Sequence, residues 1–330
     1  TYCLSIHYKI NLTQFYIHIG MPRTATTFLQ RNIFPFITDF QLVSLPYSHF
    51  GAPFQKLQYQ DDSLYSFEEV KNKLTELYQR EKVLISNENF TGQSLFWYNG
   101  NRSRNAQRLK ALFPEATIIL TLRNQPDLLR SMYEINLQWK ETKSLDDFII
   151  TNEENFSLHD YFAQKSPNLH HTRYPVTDSY EHIEGYDYLP LIKLYQSLFP
   201  KVCVLFYEDF VMNKEKFITN LEHALDTPFS EKVKKLFFEQ PKINSGLDAS
   251  QAEKLRKLNR LATFAQHNKF IAAYYYRRKR AIINKTSSGK KIDFSKEKKL
   301  YLTEYFAQKN KQLQQELNII PEHLKDKYFL

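Results

Sequence analysis

Short apolar runs alternate with stretches of helical periodicity along the first two thirds of the chain. Four runs have the length and the branched or aromatic content of strands, namely residues 14–20, 82–90, 117–123 and 201–210. Residues 66–81 and 102–114 place apolar side chains at helical spacing. Strands that alternate with helices are typical of a parallel sheet covered on both faces. The pattern predicts an α/β fold with three layers around a central parallel sheet.

Two later segments depart from this alternation. Residues 141–190 are polar and rich in Tyr and His, and they are too long for an ordinary connection, so we expect an insertion or a lid there. Residues 250–330 have helical spacing and predict a helical C-terminal part. Because no repeat or low-complexity linker divides the chain, we expect a single domain over residues 1–330.

Composition narrows the class of protein. Of the 330 residues, 42% are hydrophobic, which is enough for a substantial core. The two cysteines do not provide a disulfide framework. The sequence has no apolar segment of membrane-spanning length, and its first residues lack the features of a signal peptide. We therefore expect a globular protein of a reducing compartment, with the cytoplasm as its location.

Charge is distributed unevenly. The chain has 45 Lys and Arg against 36 Asp and Glu, a net charge of +9, and the excess is concentrated at residues 274–280 and 284–291. A basic surface attracts polyanions such as nucleic acid, acidic glycan or an anionic membrane, or it is simply a solvated face. Charge alone does not choose between these.

The first apolar run ends in a threonine-rich turn. Gly20 is followed by Arg23 and by three threonines, and a helix-like stretch begins there. A turn from a strand into a helix presents backbone N–H groups that bind anions. Compared with the nucleotide-binding pattern G-x-x-x-x-G-K-[ST], Gly20 and Thr27 fit, but Ala25 and Thr26 replace the second glycine and the lysine. The loop favours a monophosphate over a triphosphate; a helix cap beside a surface arginine is the alternative.

A second anion site is predicted where the run 117–123 ends at Arg123. Pro126 and Asp127 are typical of a first helical turn, and Ser131 lies eight positions beyond Arg123 on a face that can turn back toward it. Such a pair can hold a phosphate, and an arginine in a salt bridge is the alternative. Two anion sites at neighbouring strand ends match a nucleotide that carries phosphates at both its 5′ and 3′ positions.

Two motifs in this order resemble those of the 3′-phosphoadenosine-5′-phosphosulfate (PAPS)-dependent sulfotransferases. "IHIGMPRTATTFLQ" is similar to the family's 5′-phosphosulfate loop, whose usual form is P-K-[ST]-G-T-T-x-L, and "TIILTLRNQPDLLRSMY" is similar to its 3′-phosphate motif. Later landmarks of bacterial members are similar to "VLFYEDF", "VMNKEKFITNLEHALDTPF", "KINSG" and "YFAQKNKQLQQEL". The resemblance spans residues 15–320 and implies a P-loop-like fold, the donor PAPS, the product 3′,5′-adenosine bisphosphate (PAP) and no required metal.

The resemblance also implies roles for individual residues. Arg23 would bind the 5′-phosphosulfate and stabilise the leaving bisphosphate, and Arg123 with Ser131 would bind the 3′-phosphate. The remaining residues that it implies for nucleotide binding are Thr24, Ala25, Thr26, Thr27, Phe28, Asn244 and Ser245. Phe28 would touch the adenine or else pack in the core. Arg23 stands where the family usually has lysine and Ala25 where it has glycine, so the backbone of Ala25 must avoid left-handed angles or carry strain.

Glu88, at the end of the run 82–90, is the predicted catalytic base, because members of the family carry His or Glu in the corresponding region. A carboxylate beside an apolar strand can have a raised pKa that suits proton transfer; a surface or helix-capping glutamate is the alternative. His18 is the rival base, although its place inside the first strand favours a core histidine. No cluster of His, Cys and carboxylates in the sequence indicates a metal site.

The resemblance leaves the acceptor open. The aromatic residues within 141–190 and the basic C-terminal region favour a hydroxyl of a carbohydrate, with a small alcohol, phenol or amine, or a tyrosyl peptide, as alternatives. We expect no nucleic-acid partner, and we expect peripheral membrane or polyanion contact through the basic C-terminal region. A P-loop kinase and a non-catalytic polyanion-binding protein are the other classes of function.

Overall fold

The computed structural model describes residues 13–44, 51–92, 102–151, 181–239, 246–285 and 289–330. Its main sheet has five strands, all of them parallel. In chain order they are β1 (Gln14–His18), β2 (Gln41–Ser44), β3 (Lys82–Ser86), β4 (Thr117–Leu122) and β7 (Lys201–Phe206). A separate parallel pair joins β5 (Ile149–Ile150) to β6 (Glu181–His182). The order across the main sheet is β2-β3-β1-β4-β7, so β1 lies in the centre.

The α/β fold with a central parallel sheet is confirmed, and all four predicted strands are present. The hydrophobic pattern missed β2, a strand of four residues at the edge of the sheet. Its first residue is held by polar contacts, since Gln41 Nε2 donates to Leu77 O at 2.9 Å and Gln41 Oε1 accepts from Gln79 N at 2.8 Å. A short edge strand that depends on such contacts carries little hydrophobic periodicity.

Helices cover both faces of the main sheet. The α-helices of the described residues are α1 (Thr26–Asn32), α2 (Gly51–Tyr59), α3 (Phe67–Thr75), α4 (Arg102–Leu112), α5 (Gln125–Gln138), α6 (Leu145–Phe148), α7 (Tyr188–Leu198), α8 (Tyr207–Met212), α9 (Lys214–Ala224), α10 (Glu231–Glu239), α11 (Ala249–Asn259), α12 (Ala262–His267), α13 (Lys269–Ile283), α14 (Lys296–Leu317) and α15 (Lys325–Phe329). Short 3₁₀ helices cover 34–36, 88–91, 183–186 and 322–324.

Alternate side chains of the strands pack against opposite layers of helices, as the pleat of a strand requires. Ile17 of β1 and Ile118 of β4 join an apolar cluster with residues of α3, α4, α5, α7, α11 and α14. Tyr16 and Ile119, their neighbours on the same strands, join a second cluster with residues of α1, α9 and α10. The sheet is therefore the middle of three layers, and in folds of this kind ligands bind at the carboxyl ends of the strands.

The C-terminal part is helical, as predicted, from α11 to α15. The stretch 249–270, which has helical spacing in the sequence, is divided into α11, α12 and the start of α13. Residues 152–180 lie outside the described part of the chain, so the insertion or lid at 141–190 stays a prediction, as does the single domain.

Candidate functional site

Gly20 lies in the tight turn that follows β1. A Cβ atom at this position would come within 2.9 Å of His18 Nε2 and 3.2 Å of Thr24 Oγ1, so the turn has no room for a side chain. Backbone contacts fix the chain beyond it, because Met21 N donates to Thr121 O at 3.0 Å and the Thr24 hydroxyl donates to Met21 O at 2.5 Å. Glycine is therefore required here for close packing.

The loop between Gly20 and α1 contains two residues in left-handed backbone conformations. Arg23 and Ala25 both have φ of 66°. This region costs a residue with a Cβ atom about 1 to 2 kcal/mol, and such strain is concentrated at functional sites in proteins. The sequence left open whether the backbone of Ala25 avoids left-handed angles or carries strain, and the structure shows that it carries strain.

Three of the predicted anion-binding residues meet beyond β1 and β4. Arg23 Nε donates to Ser131 Oγ at 2.9 Å, and Arg123 Nη1 donates to Arg23 O at 3.0 Å. The guanidinium carbon of Arg123 lies 4.4 Å from the ring centre of Tyr207, which is a cation–π contact. Ser131 was expected to face Arg123 and instead accepts from Arg23. The two predicted anion sites thus form one connected cluster.

Arg123 retains a donor for a ligand. Its Nε is buried and has no hydrogen-bond partner among the described residues, and a buried donor without a partner is rare in native proteins. The alternative interpretation of Arg123, a simple salt-bridge partner, does not account for this atom. An anion that approaches the cluster would satisfy it.

A buried network fixes the chain that carries Arg123 from β4 into α5. The Tyr188 hydroxyl donates to Arg123 O at 2.5 Å. Asn124 N donates to Glu208 Oε1 at 2.9 Å, and the Tyr328 hydroxyl donates to Glu208 Oε2 at the same distance. Pro126 and Asp127 lie in the first turn of α5, as predicted. The position of the Arg123 guanidinium is therefore set by groups that cannot easily move.

Glu88 lies directly beyond β3, at the start of the 3₁₀ helix at 88–91. The preceding residue is tied to the central strand, because Asn87 N donates to His18 O at 3.0 Å. Burial raises the pKa of the Glu88 carboxyl, while the Thr26 hydroxyl and the positive charge of Arg23 offset part of the rise. A carboxyl group with a raised pKa beside the arginine cluster is suited to accept a proton near neutral pH.

His18 is a core histidine, as its place in β1 predicted. Its ring is fully buried, with Nδ1 at 2.9 Å from Ser86 Oγ and Nε2 at 3.3 Å from Thr121 Oγ1. Burial lowers its pKa to about 4. Because both ring nitrogens have partners and no solvent reaches them, His18 is unsuited to the role of base.

Glu134 is a site residue that the sequence analysis missed. It lies three residues beyond Ser131 on α5, which places both side chains on one face of the helix. It is 9% exposed, and burial raises its pKa, while nearby positive charges, that of Arg23 foremost, offset the rise. Burial in turn lowers the pKa of Arg23, and Glu134 gives the strongest opposing influence. Its spacing of three residues from Ser131 on a predicted helix could have identified Glu134 from the sequence.

The motif "KINSG" ends next to this carboxylate. Gly246 has φ of 75°, and a Cβ atom there would lie 3.1 Å from Glu134 Oε2. Asn244 and Ser245 lie outside the described residues, so their predicted contacts with the nucleotide stay predictions. Gly246, the first described residue after them, lies beside Glu134.

Phe28 packs in the core. It is 6% exposed, and its ring centre lies 5.1 Å from that of Phe210 and 5.6 Å from that of Phe237. This environment favours packing over contact with an adenine. Of the other loop residues, Thr26 is buried and Thr27 half-buried at the start of α1.

Three findings concern other chemistry. Among the described residues, no group of three or more His, Cys, Asp and Glu side chains is placed so that it could hold a metal ion. Cys203 of β7 is a free thiol, half-buried. Within the described ranges, no helix combines the length and the apolar character needed to cross a membrane.

Comparison with solved structures finds 21 chains that match this one, two sulfotransferases among them. No protein-family model and no curated protein matches the chain. The crystal structure of a sulfotransferase from Alicyclobacillus acidocaldarius aligns with a TM-score of 0.40 at 17% identity, over 84% of this chain and 97% of that one. A sulfotransferase domain from the curacin biosynthetic pathway aligns with a TM-score of 0.35 at 13% identity, over 70% of this chain and 78% of that one.

Proposed function

We propose that the protein is a sulfotransferase that moves a sulfuryl group from PAPS to an acceptor hydroxyl. One observation carries the proposal: Arg23, Arg123 and Ser131, from two motifs about 100 residues apart in the sequence, form one hydrogen-bonded cluster, with Glu88 within its electrostatic reach. A cluster of two guanidinium groups at the ends of neighbouring strands suits a ligand with two phosphates.

The donor atoms of the cluster support a bisphosphate ligand. Within the described part of the chain, Arg123 Nε is buried without a partner. Ser131 Oγ accepts from Arg23, which leaves the serine hydroxyl able to donate its own hydrogen to a ligand. Arg123 and Ser131 would hold the 3′-phosphate, and Arg23 would hold the 5′-phosphate with the residues from Thr24 to Thr27. Thr26 stands where an ATP-hydrolysing loop has its lysine, which disfavours a kinase.

The chemistry requires one proton transfer and one charge to be stabilised. The acceptor oxygen forms a bond to sulfur as the bond between sulfur and the bridging phosphate oxygen breaks. Glu88 takes the proton of the acceptor hydroxyl, and the raised pKa of its carboxyl suits this role. Arg23 stabilises the negative charge that develops on the leaving bisphosphate. Most of the catalysis is positioning and electrostatic stabilisation, as in phosphoryl transfer.

For the acceptor we propose a carbohydrate hydroxyl. The aromatic residues within 141–190 would pack against sugar rings, and basic residues would pair with acidic substituents. A small alcohol, phenol or amine, or a tyrosyl peptide, would use the same base and the same donor. A screen of glycans, followed by these smaller acceptors, in the presence of PAPS would identify it.

Calorimetric titration with PAP, 5′-AMP and ATP with Mg²⁺ tests the proposal. We expect PAP to bind most tightly, because it alone offers a phosphate to each half of the cluster, and we expect Mg²⁺ to make no difference to its affinity. Preference for ATP with Mg²⁺ would favour a kinase. PAP binding without sulfuryl transfer to any acceptor would favour a non-catalytic binding protein.

A further inference from the structure

We propose that residues 261–285, which contain α12, α13 and the turn between them, dock the protein onto an anionic lipid membrane. We call this region the basic hairpin. The inference concerns a surface outside the candidate active site and does not depend on the proposed sulfotransferase activity. Its evidence is the distribution of charge, the packing of α13 and the exposure of aromatic side chains.

The segment around the basic hairpin differs in charge from the rest of the chain. Residues 254–292 contain no Asp or Glu and hold 12 Lys and Arg. Because the whole chain has 45 basic and 36 acidic residues, the remainder has 33 basic residues against all 36 acidic ones. The net positive charge of the protein thus resides in this one segment.

One face of α13 attaches the basic hairpin to the body of the protein. Tyr275 is fully buried, and its hydroxyl donates to Asn259 Oδ1 at 3.0 Å. Lys279 Nζ donates to Gln138 O at the end of α5. Further along, Gln251 Nε2 donates to Ile282 O at 3.0 Å. The opposite face of α13 is left exposed.

Exposed aromatic residues and exposed arginines occur together in the basic hairpin. Phe270 is 88% exposed, Phe264 62% and Tyr276 51%. Three arginines of α13 are exposed as well, namely Arg277, Arg278 and Arg280. The transfer of an exposed phenylalanine side chain out of water is favourable. The approach of an exposed arginine to anionic headgroups is favourable as well.

An anionic membrane satisfies both features at once. Aromatic side chains enter the boundary between headgroups and acyl chains, while Arg and Lys pair with lipid phosphates and carboxylates. An acidic glycan would pair with the arginines but could cover only one face of the rings of Phe264 and Phe270, which flank the turn at Asn268, whereas acyl chains would surround both rings. The combination therefore favours lipid over a soluble polyanion.

The basic hairpin lies away from the candidate active site. The 14-residue helix α5 begins near Arg123 and ends at Gln138, so its ends are about 20 Å apart. Lys279 contacts the far end, and α13 runs back along α11, which places Phe270 beyond Asn259. A docked molecule would keep its strand ends accessible to soluble ligands.

Co-sedimentation with vesicles of phosphatidylcholine, with and without phosphatidylserine, tests the proposal. We expect binding to the phosphatidylserine vesicles alone, weakened by salt. Phe264→Ser with Phe270→Ser should raise the lipid concentration for half-binding about tenfold. Arg277→Gln with Arg278→Gln and Arg280→Gln should raise it on the order of 100-fold, since three cations leave the anionic surface. All five side chains are exposed, so circular dichroism should show folded variants.

Matched controls remove the same groups elsewhere on the surface. Phe238→Ser on α10, where the side chain is 44% exposed, and a triple variant of the exposed Lys71, Lys235 and Lys311 to Gln should each bind as the unaltered protein does. Equal binding to both kinds of vesicle, or none to either, would overturn the proposal. So would binding to phosphatidylserine vesicles that the phenylalanine substitutions leave unchanged, or loss of self-association as the main effect of those substitutions.

Discussion

Arg23 is the residue on which the candidate site depends most. Its backbone is left-handed with φ of 66°, its side chain donates to Ser131, and its carbonyl accepts from Arg123. The strain in the loop is offset by these two contacts, which both lead to groups beyond β4. The conformation of the loop and the position of the second guanidinium are therefore coupled.

Glu88→Gln separates proton transfer from binding. We expect turnover to fall by about 10² to 10⁴-fold, the usual contribution of a general base, with PAP affinity nearly unchanged. Burial raises the pKa of Glu88, so its charged form destabilises the folded state above that pKa, and the variant should melt at the same or a higher temperature at neutral pH. The acidic limb of the rate–pH profile, which lies above the ordinary pKa of 4.5, should vanish in the variant.

Thermal melting, titration with PAP and steady-state rates of the Glu88→Gln variant together check this prediction. Asn89→Ala in the same 3₁₀ helix is the control for local distortion. A loss of PAP affinity and of melting temperature along with turnover would make Glu88 a structural residue.

Arg123→Ala should weaken PAP binding by about 1 to 3 kcal/mol, the free energy of a lost hydrogen bond to a charged group. Arg130→Ala is the matched control, because Arg130 lies nearby on α5 and pairs with Asp127 at 2.7 Å. Calorimetry on both variants measures the difference. Equal affinities for PAP would exclude Arg123 from the site.

At the scale of elements, three strands are joined at the point where the site begins. The side chain of His18 on β1 contacts Ser86 on β3 and Thr121 on β4. Gln30 of α1 also reaches β3, donating to Ser86 Oγ at 3.0 Å. The buried polar contacts hold the carboxyl ends of β1, β3 and β4 in fixed relation, and those ends carry Arg23, Glu88 and Arg123.

His18 predicts a pH-dependent stability. Its pKa falls from 6.5 to about 4 on folding. Between these pH values the unfolded chain binds a proton at His18 and the folded protein does not. The contribution of the neutral His18 to stability is present in full above pH 6.5 and is lost as the pH falls toward 4. This loss lowers the free energy of unfolding by about 3 kcal/mol. Urea unfolding of the protein and of His18→Gln at pH 7 and pH 4 should show a smaller loss in the variant. Equal losses of unfolding free energy in the protein and the variant would mean that other groups dominate the pH dependence of stability.

At the scale of the whole molecule, the strand order β2-β3-β1-β4-β7 determines which strand ends lie side by side. Strand β3 lies on one side of β1 and β4 on the other, so the residues that follow these strands gather around the end of β1, where folds of this kind have their ligand-binding crevice. Residues far apart in the sequence contribute to it, and the C-terminal Tyr328 stabilises it through Glu208.

Ligand binding at this crevice should stabilise the entire fold. PAP at 100 times its dissociation constant adds about 2.7 kcal/mol to the free energy of unfolding if it binds only the folded state. We expect a rise of several degrees in melting temperature by differential scanning fluorimetry, absent with adenosine. A rise of equal size with 5′-AMP would show that the 3′-phosphate has no partner.

The sequence by itself determined the features that depend on local chemistry. Apolar runs and helical spacing predicted four strands and most helices, and the residue types after two strands predicted the anion site. Gly20 was recognisable because a tight turn from strand to helix leaves no room for a side chain. His18 was recognisable as a core residue from its place within a buried strand.

Only the tertiary structure decided how these pieces meet. The contact between Arg23 and Ser131 joins residues 108 positions apart, and its partner could not be chosen from spacing, which favoured Arg123. The edge strand β2, the role of Glu134 and the burial of Phe28 likewise depend on neighbours from distant parts of the chain. Local propensity fixes elements because its causes lie within a few residues, whereas a site is made by long-range packing that only the complete fold provides.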